Sequence, residues 1–418
     1  MGAQFVLSNV AEFRKMVSFL NIMKHPGLKQ EVIAMYQQFA QPSPIIFGCG
    51  SVSVLGEKLR ERGLKKALCV FDKGIAKAGI TEKVFKILRD AGVSYVPYDG
   101  VQPDPTVDIV DDAGRLGASE RVDCVIGIGG GSSMDAAKAA AILQDMPGTA
   151  RDYVHAAPVY YDTKTPVFLI PTTAGTGSEC TVVAIITIPE LNIKGSVFMN
   201  TTLAIVDPEL TVTLPKYETV NTGLDAFAHA AEAMTSSTGN RHSDLFGEAA
   251  IKKISENLRA AWNEPYNIEA RSEMALAANW AGLAFNNPLT HVGHAAADAF
   301  SCYFHTPHGL GCALALPEAL ALVAPVVPDK MRTIALAMGF SLSGGESGEA
   351  LGGLVAGGIR QMMRDMEMKS LREMGYSREK VLSFAPDVAA SHLCGHCPVK
   401  VDIHIAEKLL ADIYDTYQ

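Results

Sequence analysis

At Leu214-Pro215 the chain changes character. Before that point, short apolar and β-rich runs alternate with helical stretches. Ala67-Leu-Cys-Val-Phe71, Val93-Ser-Tyr-Val96 and Cys124-Val-Ile-Gly-Ile128 are such runs, and residues 82–91 and 106–118 read as helices between them. Further strand-like segments follow at 167–170, 182–188 and 203–206. After Pro215, Ala-rich periodic stretches succeed one another at 222–234, 244–262 and 268–284, without strands between them. Alternation predicts a parallel sheet with crossover helices, and an unbroken run of helices predicts a separate helical layer. The expected fold is therefore an α/β half over 42–215 followed by an all-α half over 216–418.

A chain of 418 residues is longer than one core comfortably serves, which agrees with two domains. Residues 1–41 form a third segment. Phe13, Met16, Val17 and Leu20 fall on one helical face there, and the segment ends at Gln41-Pro42-Ser43-Pro44, so it reads as a helical extension. A net charge of -9 without a long basic run argues against nucleic acid or anionic membrane as partner. The eight cysteines are mostly scattered in apolar contexts, as expected of reduced thiols, and no signal-peptide pattern opens the chain. The most apolar stretch, near 312–328, is broken by Pro317, Glu318 and Pro325. These features predict a cytoplasmic protein.

The run Gly127-Ile-Gly-Gly-Gly-Ser-Ser-Met-Asp-Ala-Ala-Lys138 follows a strand and opens a helix. In that setting backbone N–H groups and the helix dipole can hold a diphosphate. Gly129, Gly130 and Gly131 permit close backbone approach, and Ser132 or Ser133 is expected to cap the helix while touching phosphate oxygen. A second loop, Pro171-Thr-Thr-Ala-Gly-Thr-Gly-Ser-Glu179, also follows a strand and offers hydroxyls to a ribose or pyrophosphate. In the usual dinucleotide fingerprint an acid follows the glycine loop by about 20 residues. Here the candidate acid, Asp72, precedes it, so the phosphate loop belongs to a later strand of the sheet.

Asp225 and His229 are four residues apart in Gly223-Leu-Asp-Ala-Phe-Ala-His-Ala-Ala-Glu232 and share one helix face. His294 and His308 follow, in His291-Val-Gly-His-Ala-Ala-Ala-Asp298 and Thr306-Pro-His-Gly309. Three neutral imidazoles and a carboxylate suit Fe(II) or Zn(II), with room for one more ligand. Glu232, three residues after His229, either orients that imidazole or is a solvated helix charge.

Taken together, Gly129-Gly-Gly-Ser-Ser-Met-Asp135, 171–179, Val206-Asp-Pro-Glu-Leu210, 223–232 and 306–309 resemble the iron-containing (group III) alcohol dehydrogenase family, over roughly residues 42–418. The resemblance implies a dehydroquinate-synthase-like fold with a deep cleft between its halves. It implies that Asp225, His229, His294 and His308 hold the metal. Gly130, Gly131, Ser132, Asp135, Thr172, Thr173, Thr176 and Lys194 match positions along the cofactor. Asp72 matches the position that meets the adenosine ribose, where a carboxylate repels a 2′-phosphate, so NAD(H) is expected over NADP(H). The implied reaction is hydride transfer between a small primary alcohol and its aldehyde, in the reductive direction in the cell, by a homodimer or larger assembly.

One position departs from the pattern. Where many members carry a histidine four residues after the ligand matching His294, this chain has Asp298. Asp298, with His291, either carries the proton or shapes a polar pocket. Cys394-Gly-His-Cys397 has dithiol spacing but lies far from the strand-to-helix setting such motifs need, and reads as a loop lining the cleft. Two other functions share these residues: an NAD-using lyase of the same fold, and a scaffold with a structural metal.

Overall fold

Residues 67–71 and 124–129 are buried throughout, as strands covered by helices on both faces must be. In the computed structural model, which describes residues 39–155, 159–191 and 193–417, they form the middle of a six-stranded parallel sheet. Its first five strands are β1 (Ile45–Phe47), β2 (Lys66–Asp72), β3 (Ser94–Val101), β4 (Cys124–Gly129) and β5 (Val167–Pro171). Next in the chain, β6 (Val183–Ile188) and β7 (Ile193–Phe198) pair antiparallel in a separate hairpin, and β8 (Leu203–Val206) returns to the sheet. The spatial order is β1-β8-β5-β4-β2-β3, with parallel neighbours throughout.

Helices α1 (Leu55–Glu61), α2 (Lys73–Lys77), α3 (Ile80–Asp90), α4 (Val107–Glu120), α5 (Gly131–Asp145) and α6 (Ala150–Tyr153) connect these strands. Alternate residues of β4 feed two different cores. Val125 packs with the group around Leu68, Val107 and Ile142, and Ile126 and Ile128 with the group around Leu55, Val84 and Leu88. The hairpin departs from expectation. Residues 182–188 do form a strand but outside the main sheet, and β7 was not foreseen because Lys194 and Gly195 interrupt its apolar pattern.

From Lys216 onward every regular element among the described residues is helical. Helix α7 (Lys216–Thr235) is central, with residues 223–235 buried on every side, which its alanines allow. Around it stand α8 (Arg241–Asn263), α9 (Ile268–Phe285), α10 (Val292–Phe304) and α11 (His308–Val323). Helices Pro328–Ala337, Gly348–Asp365, Arg378–Leu382, Ala385–Ala390 and Ile403–Thr416 complete this half, which has a core of its own. The Gly-rich stretch at 344–358 is a short loop leading into a packed helix, as expected. The helical extension read over 1–41 lies, up to residue 38, outside the described residues. No helix among the described residues is long and apolar enough to cross a membrane.

Candidate metal and nucleotide site

In the sheet, β2 is followed outward by β3 on one side and β4 by β5 on the other, so strand order reverses between β2 and β4. Ligands of open α/β sheets bind outside the carboxyl ends of the strands at such a point. Asp72 ends β2 and Gly129 ends β4. Gly129 has φ +147, and a Cβ there would come within 2.6 Å of Ser133 Oγ, so the turn into α5 requires glycine. The N-cap of α5 is Gly130, and no side chain caps its first turn. The expected capping by Ser132 or Ser133 is therefore corrected. Ser133 is buried inside the first turn, its Oγ 3.5 Å from Asp72 Oδ2. First-turn amides without a side-chain cap suit a diphosphate.

Gly130, Gly131, Ser132, Ser133 and Asp72 line one end of a cleft of about 930 Å³, with Thr172, Thr173 and Thr176 across from them. Thr172 Oγ1 is buried without a hydrogen-bond partner among the described residues. Asp72 does more than face the cleft, because its Oδ1 accepts from Gly74 N at 2.7 Å and Ile75 N at 3.1 Å, capping α2. Asp135 lines the cleft but braces it. Its oxygens accept from Ser178 Oγ at 2.6 Å and Ile185 N at 2.9 Å. Fully buried Lys138 adds a second brace that the sequence did not disclose. Its ammonium donates to Ser178 O and Val183 O, each at 2.6 Å, tying α5 to the second loop and to β6.

At the other end of the cleft, helix packing assembles the ligand candidates. A Cβ on Gly309 would lie 2.6 Å from Asn221 O, so only glycine lets the start of α11 press this closely on α7. His308 thereby reaches Asp225. Asp225 Oδ1 stands 3.7 Å from His229 Nδ1, 4.0 Å from His294 Nε2 and 3.9 Å from His308 Nε2. These are too long for hydrogen bonds. Asp225 Oδ1, His229 Nδ1 and His294 Nε2 are each buried with no hydrogen-bond partner among the described residues. Buried polar atoms are normally satisfied, so orphans converging on one point fit a shared divalent ion. Burial, helped by the neighbouring imidazoles, pushes His229 down to about 3. Burial and the Lys194 charge push His308 down to about 4. Both rings are then neutral at physiological pH, the form that binds metal.

Glu232 orients His294, not His229. The carboxylate is fully buried and accepts from His294 Nδ1 at 2.6 Å, Gly293 N at 2.6 Å and His291 N at 2.9 Å. That leaves His294 Nε2 aimed at Asp225, and a carboxylate behind the ring in this way fixes a metal-binding tautomer. His229 is held instead by stacking on Phe285, with ring centroids 4.3 Å apart. The group of donor atoms lying within 4.8 Å of one another is Asp225, His294, His308 and Cys312, and it leaves out His229, whose Nδ1 meets the group at Asp225 Oδ1, 3.7 Å away. Cys312 opens the most apolar stretch of the chain, where a cysteine reads as a reduced core thiol. Its place four residues after His308 repeats the Asp225–His229 spacing, and that was the available signal.

Asp298 lines the cleft, its Oδ1 3.7 Å from His308 Nδ1 and 3.4 Å from Lys194 Nζ. Lys194, on β7, also contacts Asp104 Oδ1 at 2.8 Å, and Ser301 Oγ donates to Asp104 Oδ2 at 2.6 Å. The ion pairs therefore join the α/β half to α10. His291 does not match its expectation as a proton carrier. It is fully buried behind Glu232, its Nε2 is 2.8 Å from Thr235 Oγ1, and it is absent from the cleft wall. Cys394 and Cys397 sit at a 3-10 turn, His392–His396, where burial pushes their thiols up to about 12 and about 11. Such thiols are poor nucleophiles, and His392 and Leu393, rather than the cysteines, line the cleft.

Residues 42–208 match the iron-containing alcohol dehydrogenase family, and residues 219–414 match that family's C-terminal region. Choline dehydrogenase of Bacillus subtilis is 33% identical over 85% of this chain and 89% of its own length. The NAD-dependent methanol dehydrogenase of Bacillus methanolicus is 35% identical over 73% of this chain and 81% of its own. The alcohol dehydrogenase from Oenococcus oeni superposes with a TM-score of 0.86 at 30% identity, covering 91% of this chain and all (100%) of that one.

Proposed function

The chain belongs to the iron-containing alcohol dehydrogenase family, and from that footing we propose that it interconverts a small primary alcohol and its aldehyde, acting in the cell as an aldehyde reductase. It is an NAD-linked, metal-dependent oxidoreductase. The observation that carries the finer reading is the convergence of orphaned donors on the same cleft that holds the glycine turn. Asp225, His229, His294 and His308 hold an Fe(II) or Zn(II) ion in this reading. Relatives named for methanol and choline, and others named for long-chain alcohols, support an alcohol as substrate.

When bound, the ion supplies Lewis acidity toward the substrate oxygen and the nicotinamide supplies the hydride donor or acceptor. The chain supplies the rest. Asp225 brings the one negative charge to the donor set, and Glu232 keeps His294 turned toward it. Gly130, Gly131 and the threonines of the second loop hold the cofactor at the far end. Absorbance of NADH with a panel of short aldehydes, with and without chelator, tests the reading. Chelator-sensitive NADH consumption is expected. Turnover without a net NADH change would point instead to a lyase, and no turnover to a scaffold.

Asp72 is proposed to select NAD(H) by repelling a 2′-phosphate. Asp72→Gly removes the charge but also the cap of α2, whereas Asp72→Ser keeps a capping oxygen. Both should raise the NADP-to-NAD ratio of kcat/KM, by about tenfold or more. A ratio unmoved in steady-state kinetics with both cofactors would remove Asp72 from this role.

Asp298 is proposed to move the substrate proton. Its carboxylate lines the cleft wall, 3.7 Å from His308 Nδ1 and 3.4 Å from Lys194 Nζ. Asp298→Asn should lower kcat about 10²-fold and change the shape of the pH–rate profile. An unaltered pH–rate profile would reduce Asp298 to shaping the pocket.

A further inference from the structure

Cys312 lies one turn after His308 on α11, on the face pressed against α7. Its sulfur is 3.5 Å from His308 Nε2. Its donor atom and those of Asp225, His294 and His308 all fall within 4.8 Å of one another. A sulfur at about 2.3 Å and a nitrogen at about 2.1 Å from one ion, at a bond angle of roughly 90–120°, stand about 3.1–3.8 Å apart. The Cys312–His308 separation, a thiol–imidazole contact in the metal-free chain, falls within the range that two ligands of a single ion adopt.

The direction of approach matters as much as the distance. Asp225, His294 and His308 line the cleft, but Cys312 is 1% exposed and does not. The sulfur faces the donor group from the core side. It would leave the cleft-facing position to the substrate oxygen, as a catalytic site requires.

We propose that Cys312 is a further ligand of the divalent ion held by Asp225, His229, His294 and His308, and that its sulfur makes this centre prefer Zn(II) or Co(II) to Fe(II). The inference rests on the metal reading of the same site. On binding, the Cys312 S–H bond breaks as the sulfur–metal bond forms, and the proton leaves to solvent, as is general for thiols at protein-bound metals. Thiolate sulfur is a softer donor than imidazole or carboxylate, and it shifts selectivity toward zinc-like ions.

The test uses the full chain stripped of metal by chelator and titrated anaerobically with Co(II), followed by absorption spectroscopy. A single equivalent should bind, giving ligand-field bands together with a thiolate-to-cobalt charge-transfer band in the near ultraviolet. Cys312→Ser should keep the ligand-field bands, lose the charge-transfer band, and bind Zn(II) about tenfold more weakly or worse in competition with a chromophoric chelator. Its preference for Zn(II) over Fe(II) should narrow. Ligand-field bands without charge transfer in the unaltered chain would overturn the role of Cys312 while leaving the metal site intact. A charge-transfer band that survives in Cys312→Ser would overturn it too. Failure to bind Co(II) or Zn(II) at all would overturn the metal reading beneath it. The first readout needs no variant, so it does not depend on the folding of one.

Discussion

Asp225→Ala should lower kcat/KM for alcohol oxidation about 10³-fold or more and leave the purified protein without stoichiometric metal. Asp225 is the one carboxylate among the proposed donors, and its side chain is buried with an orphaned oxygen. Three imidazoles alone leave the charge of a dication uncompensated in a low-dielectric pocket, where the loss is felt most. Elemental analysis after dialysis reads the metal, and NADH absorbance reads the rate. Cofactor binding, followed by calorimetry, should persist, because the glycine turn lies at the other end of the cleft. In the metal-free state the same change deletes a buried charge with an unpaired oxygen, so thermal stability should hold or rise. Retention of metal and of near-normal turnover by Asp225→Ala would contradict the proposed donor set.

Glu232→Ala should be the most damaging change to stability. The carboxylate accepts from one imidazole and three backbone amides, all buried, and truncation strands those donors. Breaking a buried ionic network of this kind costs about 3–5 kcal/mol, and for a chain of this size that corresponds to a Tm lower by about 3–6 °C. Metal affinity should fall in parallel, about 10–100-fold, because His294 loses the group that fixes its ring. The pH dependence has a definite sign. Burial alone would push the Glu232 pKa up, but the charges of His291 and His294 and the hydrogen bonds it accepts outweigh this and hold it at about 2, below the ordinary 4.5. A depressed carboxylate stabilises the fold fully above pH 4.5, and that contribution fades as pH falls toward 2. Thermal melts across that range should show a shallower acid slope for Glu232→Ala. Equal slopes would mean that Glu232 contributes little to acid stability.

The parts of the site that sequence makes legible are those encoded by local spacing. Gly129 to Lys138 declares itself because strand, glycine turn and helix are contiguous. Asp225 and His229 do so because four residues make one helical turn. What stays hidden is set by packing between distant segments. Glu232 and His294 are 62 residues apart, so nothing local says that this carboxylate serves His294 rather than His229. His291 looks like a cleft residue from its neighbours, yet it faces inward because Glu232 and Thr235 hold it from the α7 side. Lys194 reads as a cofactor contact by resemblance, and only the hairpin fold brings it onto Asp104 and Asp298. Cys312 sits in an apolar run where a thiol looks like filler until Gly309 brings α11 against α7.

The cleft is walled by halves with separate hydrophobic cores, two beneath the sheet's faces and one within the helical bundle. Asp72 belongs to the first half, and Asp225, Asp298 and Cys312 to the second. A lineage drifting toward a new alcohol or a new metal can therefore remodel the helical wall while the redox currency it spends stays fixed. The reverse also holds, since changes at the end of β2 are packed on a core that the metal ligands do not share.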